Sequence, residues 1–380
     1  MSFAALCLVV VIGLAGPLLA SIPKARVPVV IGELLVGVVF GRSGFAVLDA
    51  DDGVFAFLAD IGFGLVMFVA GTHVPVRNAE LRAALPKALL RCVPVGVAAA
   101  LLGVAIAAWF HTGHAALYAV LMASSSAALV LPVVDSLRLS GPQVLSTTAQ
   151  VAIADTACVV ALPLVIDLAH AGRAALGAAA VAGCAVGAFL LMRAADRAGW
   201  LDRMREYSKE RRFALELRVN LAILFFLAAL AVRGHVSIML AGFALGLVIA
   251  AIGEPRRLAR QLFGIAEGFF SPLFFVWLGA SLHVRELLEH PALAGLGLAL
   301  GAGALAAHGT GRLLGQPLPL AALASAQLGV PAAAAKVGDQ LGLLVPGEGS
   351  ALLFGALVTV AATTVAGGFA AKQQTASAGG

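Results

Sequence analysis

Asp155 sits within QVAIADTACVVALPLVI (150–166), an apolar run of bilayer-crossing character. A carboxyl at membrane depth is costly and marks an ion or proton pathway. Ionised, it attracts a cation; protonated, it is neutral, so one such group can hold a proton and a metal ion in alternation. Two helical turns earlier, on the same face, stands Thr148, a candidate oxygen ligand. Thr147, Gln150 and Thr156 lie off that face. Ser124, Ser125 and Ser126 place three hydroxyls in a row ahead of Pro132, a lining suited to a hard monovalent cation. His308 and Asp60 are candidates for a second titrating group. Glu33, Glu216 and Glu267 read as acids at the ends of spans rather than as ligands.

These residues must be held by helices. The chain has 380 residues, 61% hydrophobic and only 12% charged, against roughly 45–50% and about 25% in soluble domains. The fold class is therefore an all-α polytopic membrane protein, and the 43 glycines suit close helix packing. The basic residues lie in short loops between spans, which argues against a nucleic-acid partner. Cys7, Cys92, Cys158 and Cys184 show no CxxC pairing, so neither a disulfide nor a resident metal site is expected. The first apolar run lacks a basic leader and reads as a retained helix. No HExxH, GxSxG or GxGD pattern occurs, so an intramembrane enzyme is not expected.

About thirteen spans are expected, at roughly 3–21, 27–41, 54–72, 86–110, 115–135, 145–168, 174–192, 214–232, 236–252, 262–282, 291–311, 317–335 and 347–370. With the N-terminus outside and the C-terminus cytoplasmic, the basic residues fall mostly inside, Lys24, Arg26, Arg77 and Arg212 among them. Only Arg42, Arg173, Arg233, Arg285 and Lys336 fall outside. Residues 1–192 then form spans one to seven, with the ion-binding helix at 145–168. Residues 193–212 form an amphipathic cytoplasmic linker, 213–371 spans eight to thirteen, and 372–380 a disordered tail. His111, His114, His170, His235, His283 and His290 fall in or beside outer loops.

The fifth span carries the three serines and Pro132; the twelfth carries Gly329 and Pro331. Both are poor continuous helices. Interrupted helices at matching positions of two halves point to an inverted repeat and to a transport site where the breaks cross.

The order of these segments resembles a known superfamily. IGELLVGVVFG (31–41), LADIGFGLVMFVAG (58–71), ASSSAALVLPVV (123–134), VAIADTACVVALPL (151–164), HVSIMLAGFALGLVIA (235–250) and FFSPLFFVWLGASL (269–282) are similar to the monovalent cation:proton antiporters, on the Kef-type branch with a NapA/NhaA-like fold. The resemblance implies a core domain that moves against a dimerisation domain in an elevator-like motion, and a homodimer. Three departures stand out. Ala154 precedes Asp155 where relatives often carry Asn, Asp or Gln. His308 stands near the place of a Lys in electrogenic relatives. LGVPAAAA (328–335) replaces an R-G-E motif. The C-terminal nucleotide-binding domain of full Kef proteins is absent from this sequence.

The expected function is secondary active exchange of Na⁺ or K⁺ for H⁺, one for one and electroneutral, in a bacterial inner membrane. No cofactor is expected beyond the transported ions; the partners are monovalent cations, protons and the lipid bilayer. A channel-like K⁺ efflux protein or a cation-coupled solute carrier on the same architecture is the alternative.

Overall fold

A chain in hydrocarbon must satisfy its backbone internally, so its apolar runs coil into helices. The computed structural model describes residues 1–21, 28–74, 79–211, 213–234, 236–253 and 256–378; Lys24, Arg26, Arg77, Arg212 and His235 lie outside them. Among the described residues, eleven helical stretches are long and apolar enough to cross a bilayer. Two shorter apolar helices, Val29–Phe40 and Ile238–Ile252, accompany them. Each of the thirteen stretches expected from sequence falls on one of these.

The first crossing is α1 (Phe3–Gly13) with α2 (Ala15–Ala20), followed by α3 (Val29–Phe40), α4 (Gly53–Thr72) and the long α5 (Ala79–Phe110). The fifth is split into α6 (Ala115–Ala123) and α7 (Ala127–Ser136). α8 (Pro142–Ile166) carries Asp155, and α9 (Ala171–Arg197) follows. The linker forms α10 (Trp200–Glu210), anchored where Arg205 donates to Asp202 over 3.0 Å and to Glu216 over 2.7 Å. Next come α11 (Leu215–Arg233), α12 (Ile238–Ile252) and α13 (Arg256–Ile265). A π-helical turn, Ala266–Phe270, leads into α14 (Ser271–Ser281). After α15 (Val284–Glu289) and α16 (Pro291–Gly309), the twelfth crossing is split into α17 (Leu318–Ala324) and α18 (Gly329–Gln340). α19 (Glu348–Ala378) ends the chain's described part.

α19 runs on through most of the stretch expected to be a disordered tail, 372–380. Lys, Gln and Ala are strong helix formers. Gln374 also holds the helix end in place, donating to Ser140 O over 2.6 Å and accepting from Ser140 N over 3.2 Å.

Small residues fix the closest helix contacts. A Cβ on Gly37 of α3 would come within 2.3 Å of Val276 O on α14, and one on Gly246 of α12 within 2.3 Å of Phe68 O on α4. α3, α14, α4 and α12 therefore pack backbone to backbone. On the other side, α8 touches α5, α6, α7, α17 and α18. Buried Arg91 of α5 fixes the start of α8, donating to Gln143 Oε1 over 2.6 Å and to Ser146 Oγ over 3.2 Å.

Candidate ion-binding site

The fifth crossing breaks at its serines. Ser hydroxyls compete with the helix for backbone partners, and Ser124 and Ser126 adopt extended backbone between α6 and α7. Pro132 is not at this break: it lies inside α7, exposed on the wall of a cavity. The serines end the helix before the proline is reached. The second break spans Ser325–Leu328, and Gly329 and Pro331 form the first turn of α18. Proline is tolerated there because first-turn N–H groups have no partner within the helix.

The two breaks touch. Ser125 Oγ donates to Ala324 O over 2.5 Å, joining the carboxyl end of α17 to the first break. Ser124 Oγ lies 2.7 Å from both Leu121 O and the side-chain amide of Gln327. The Gln327 atom is its amide oxygen Oε1, so the single Ser124 hydroxyl proton is shared between two acceptors, Leu121 O and Gln327 Oε1. Gln327 N in turn donates to Thr359 Oγ1 of α19 over 3.3 Å. Gln327 carries the second half of the crossing. Its sequence signal was a lone amide in an otherwise Ala-rich, poorly helical stretch.

Asp155 projects from α8 into this junction. It is 7% exposed, and Oδ2 accepts from Ala127 N over 2.9 Å. The carboxylate thus caps the amino end of α7, where free N–H groups and the helix dipole favour negative charge. Among the described residues, no basic side chain forms an ion pair with Asp155. The carboxyl ends of α6 and α17 belong to the same junction, Leu121 O accepting from Ser124 Oγ and Ala324 O from Ser125 Oγ. An anionic oxygen, hydroxyls and carbonyls are a donor set for a hard monovalent cation.

A cavity of about 730 Å³ reaches this junction. Ser126, Ala127, Ala128, Leu328 and Gly329 form part of its wall, and His73, Asp135 and Glu267 line it too. Asp155 lies directly behind the Ala127 portion of that wall.

The remaining expected residues fall as follows. Thr148 is half-buried on α8 two turns from Asp155, about 10 Å along the axis. Its buried neighbour Thr147 makes the cross-helix contact instead, accepting from Gln316 Nε2 over 3.1 Å. His308, at the last turn of α16, is fully buried and faces the backbone of Ala123 and Ser124 at the first break. Asp60 of α4 is away from the junction and pairs with Lys336 of α18. Lys336, counted above as an outer-loop cation, lies in the twelfth crossing. The Ala-rich segment around it continues as helix farther than its composition suggested.

The transmembrane sodium/hydrogen exchanger family profile matches residues 8–372. The chain is 26% identical over 282 residues to a probable Na⁺/H⁺ antiporter 3 of Methanocaldococcus jannaschii, covering 70% of this chain and 68% of that one. It is 22% identical over 303 residues to the putative Na⁺/H⁺ antiporter YjbQ of Bacillus subtilis, covering 76% of this chain and 49% of that one. The fold matches the sodium proton antiporter MjNhaP1 of M. jannaschii, solved at pH 8, with a TM-score of 0.67 at 16% identity over 95% of each chain. The chain therefore belongs to the sodium/hydrogen exchanger family, membrane transporters for secondary active cation/proton exchange and not enzymes.

Proposed function

We propose that this protein exchanges Na⁺ for H⁺ with Asp155 as the group that carries each in turn. The observation that carries the reading is the position of Asp155. It is a buried carboxylate without a basic partner among the described residues, capping α7 behind a cavity wall. Loaded with a proton, it is neutral; loaded with a cation, it is neutral again. Both loaded forms cross a low-dielectric interior at lower cost than the bare ion. Ser124, Ser125, Ser126 and the exposed carbonyls of the breaks supply the other oxygens, and His308 lies in the surrounding shell. A single principal carboxylate gives one-for-one, electroneutral exchange.

The motion is elevator-like: the crossed breaks and α8 shift against α3, α4, α12 and α14, whose glycine contacts support a stationary scaffold. The protein is a homodimer of a bacterial inner membrane, N-terminus outside. In that orientation the cavity, with His73 and Asp135 on its wall, opens to the cytoplasm. The motifs at 31–41 and 151–164 support the Kef-type branch, and the paired breaks support an inverted repeat.

The test is exchange in proteoliposomes with a panel of Na⁺, K⁺ and Li⁺, comparing the wild type with Asp155→Asn. The variant is expected to assemble and to lose exchange. Retained exchange would remove Asp155 from the mechanism. A membrane-potential dependence of turnover would remove the stoichiometry, and flux indifferent to the pH gradient would favour a channel.

A further inference from the structure

The cavity ends at a built plug. Phe63 of α4 and Phe274 of α14 both stand on its wall and stack on each other, with ring centroids 4.7 Å apart. Within one helical turn beyond them, away from His73, come three more side chains. Asp60 precedes Phe63 by one turn of α4, Trp277 follows Phe274 by one turn of α14, and Lys336 follows the cavity-lining Ala332 by one turn of α18. Lys336 forms an ion pair with Asp60, and its Nζ lies 5.1 Å from the centroid of the Trp277 ring. Trp277 is itself fixed, its Nε1 donating to Ala50 O over 3.0 Å.

The side chains of Lys336 and Asp60 are only 11% and 24% exposed. A pair this desolvated is costly to leave half-made, since the remaining charge would be buried alone. A cation held over an indole adds attraction in the same place. The plug also joins two bodies. Asp60 and Trp277 stand on α4 and α14, which pack closely where a Cβ on Gly62 would meet Phe274 Cβ at 3.0 Å. Lys336 stands on α18, half of the broken crossing that meets the helix of Asp155.

We propose that Asp60, Lys336 and Trp277 form the gate that closes the ion route on the side opposite the cavity. The pair must separate, and the ammonium must leave the indole, for the Asp155 junction to open to that side. This rests on the reading above that α17 and α18 move with α8 against α4 and α14. Asp60 and Lys336 do not hold the transported ion; they decide which side it can reach.

The experiment reads access rather than transport. In a background where Cys7, Cys92, Cys158 and Cys184 are Ser, Ala128→Cys places a thiol on the cavity wall beside the junction. Membrane-impermeant maleimide is applied from each face of oriented vesicles. Asp60→Asn and Lys336→Met are expected to raise modification from the gate side about tenfold, and the charge swap Asp60→Lys with Lys336→Asp to return it toward the parent rate. Gate-side modification unchanged by both neutral variants would overturn the proposal. Should the neutral variants fail to assemble, Asp60→Cys with Lys336→Cys gives an independent reading. Bridging the two thiols with a reducible bis-maleimide is expected to stop exchange and reduction of the linker to restore it, whereas full exchange by the cross-linked protein would overturn the gate. Maleimide modification does not require Asp155, so exchange persisting in Asp155→Asn would sink the site assignment and leave the gate result standing.

Discussion

The amide of Ala127 donates to Oδ2 of Asp155 across 2.9 Å, so the carboxylate is held by the first peptide of a half-helix rather than by a cationic side chain. The position of charge in this site is therefore set by backbone, which cannot be titrated or swung away. Asp155→Glu keeps the charge but moves it by about one bond length, ~1.5 Å. Exchange is expected to persist, with the apparent Na⁺ affinity about tenfold weaker because the oxygen no longer meets both the amide and the ion. Proton-gradient dissipation against Na⁺ concentration measures this; a parent-like half-saturation would show that the amide does not set the geometry.

Ser124 and Gln327 are the polar hinge between the two breaks. Ser124→Ala leaves the buried amide of Gln327 without its partner, at about 1–3 kcal/mol. The thermal midpoint of the detergent-solubilised protein is expected to drop, and Ser124→Thr to recover part of the loss. An unchanged midpoint in the alanine variant would mean that Gln327 finds another partner.

A pH dependence follows from Asp167, just past the end of α8. Its carboxylate accepts from the His170 ring over 2.8 Å and from His170 N over 3.3 Å. The His170 ring hydrogen bond, with help from backbone amides, holds Asp167 below the usual carboxylate range. A depressed carboxyl stabilises the folded state above its unfolded pKa, about 3.9. That contribution is lost as pH falls through the lower folded value. His170→Ala is expected to flatten the fall of thermal midpoint below about pH 4, read by a melting series in buffered detergent. An identical acid limb in both proteins would refute the coupling.

Much of this architecture was legible in the chain because hydrocarbon imposes a simple rule on backbone. Each of the thirteen apolar runs falls on one of the eleven long or two shorter apolar helices among the described residues, and an acid within one of them drew attention to Asp155. The three serines announced the first break because their hydroxyls compete locally with the helix. Pro132 misled because proline is read as a breaker wherever it occurs, yet the serines had already ended the helix. Lys336 was misread as a loop cation because its partner, Asp60, lies far away in sequence. A charge that will be neutralised across helices looks, in one dimension, like a charge that needs water. Thr148 was singled out by helical phase alone, but a shared face does not bring groups two turns apart into contact.

Where α3 meets α14 and α4 meets α12, the main chains lie so close that no side chain fits between them. Such a seam cannot loosen a little; it is either shut or lost. Deuterium should consequently enter the amides along these four helices more slowly than those flanking the serine and glutamine breaks. The same seam leaves glycine at 37, 71, 246 and 279 almost no latitude for replacement, since a Cβ at any of them would fall within 2.5 Å of a backbone oxygen, a constraint written in steric contact rather than in chemistry.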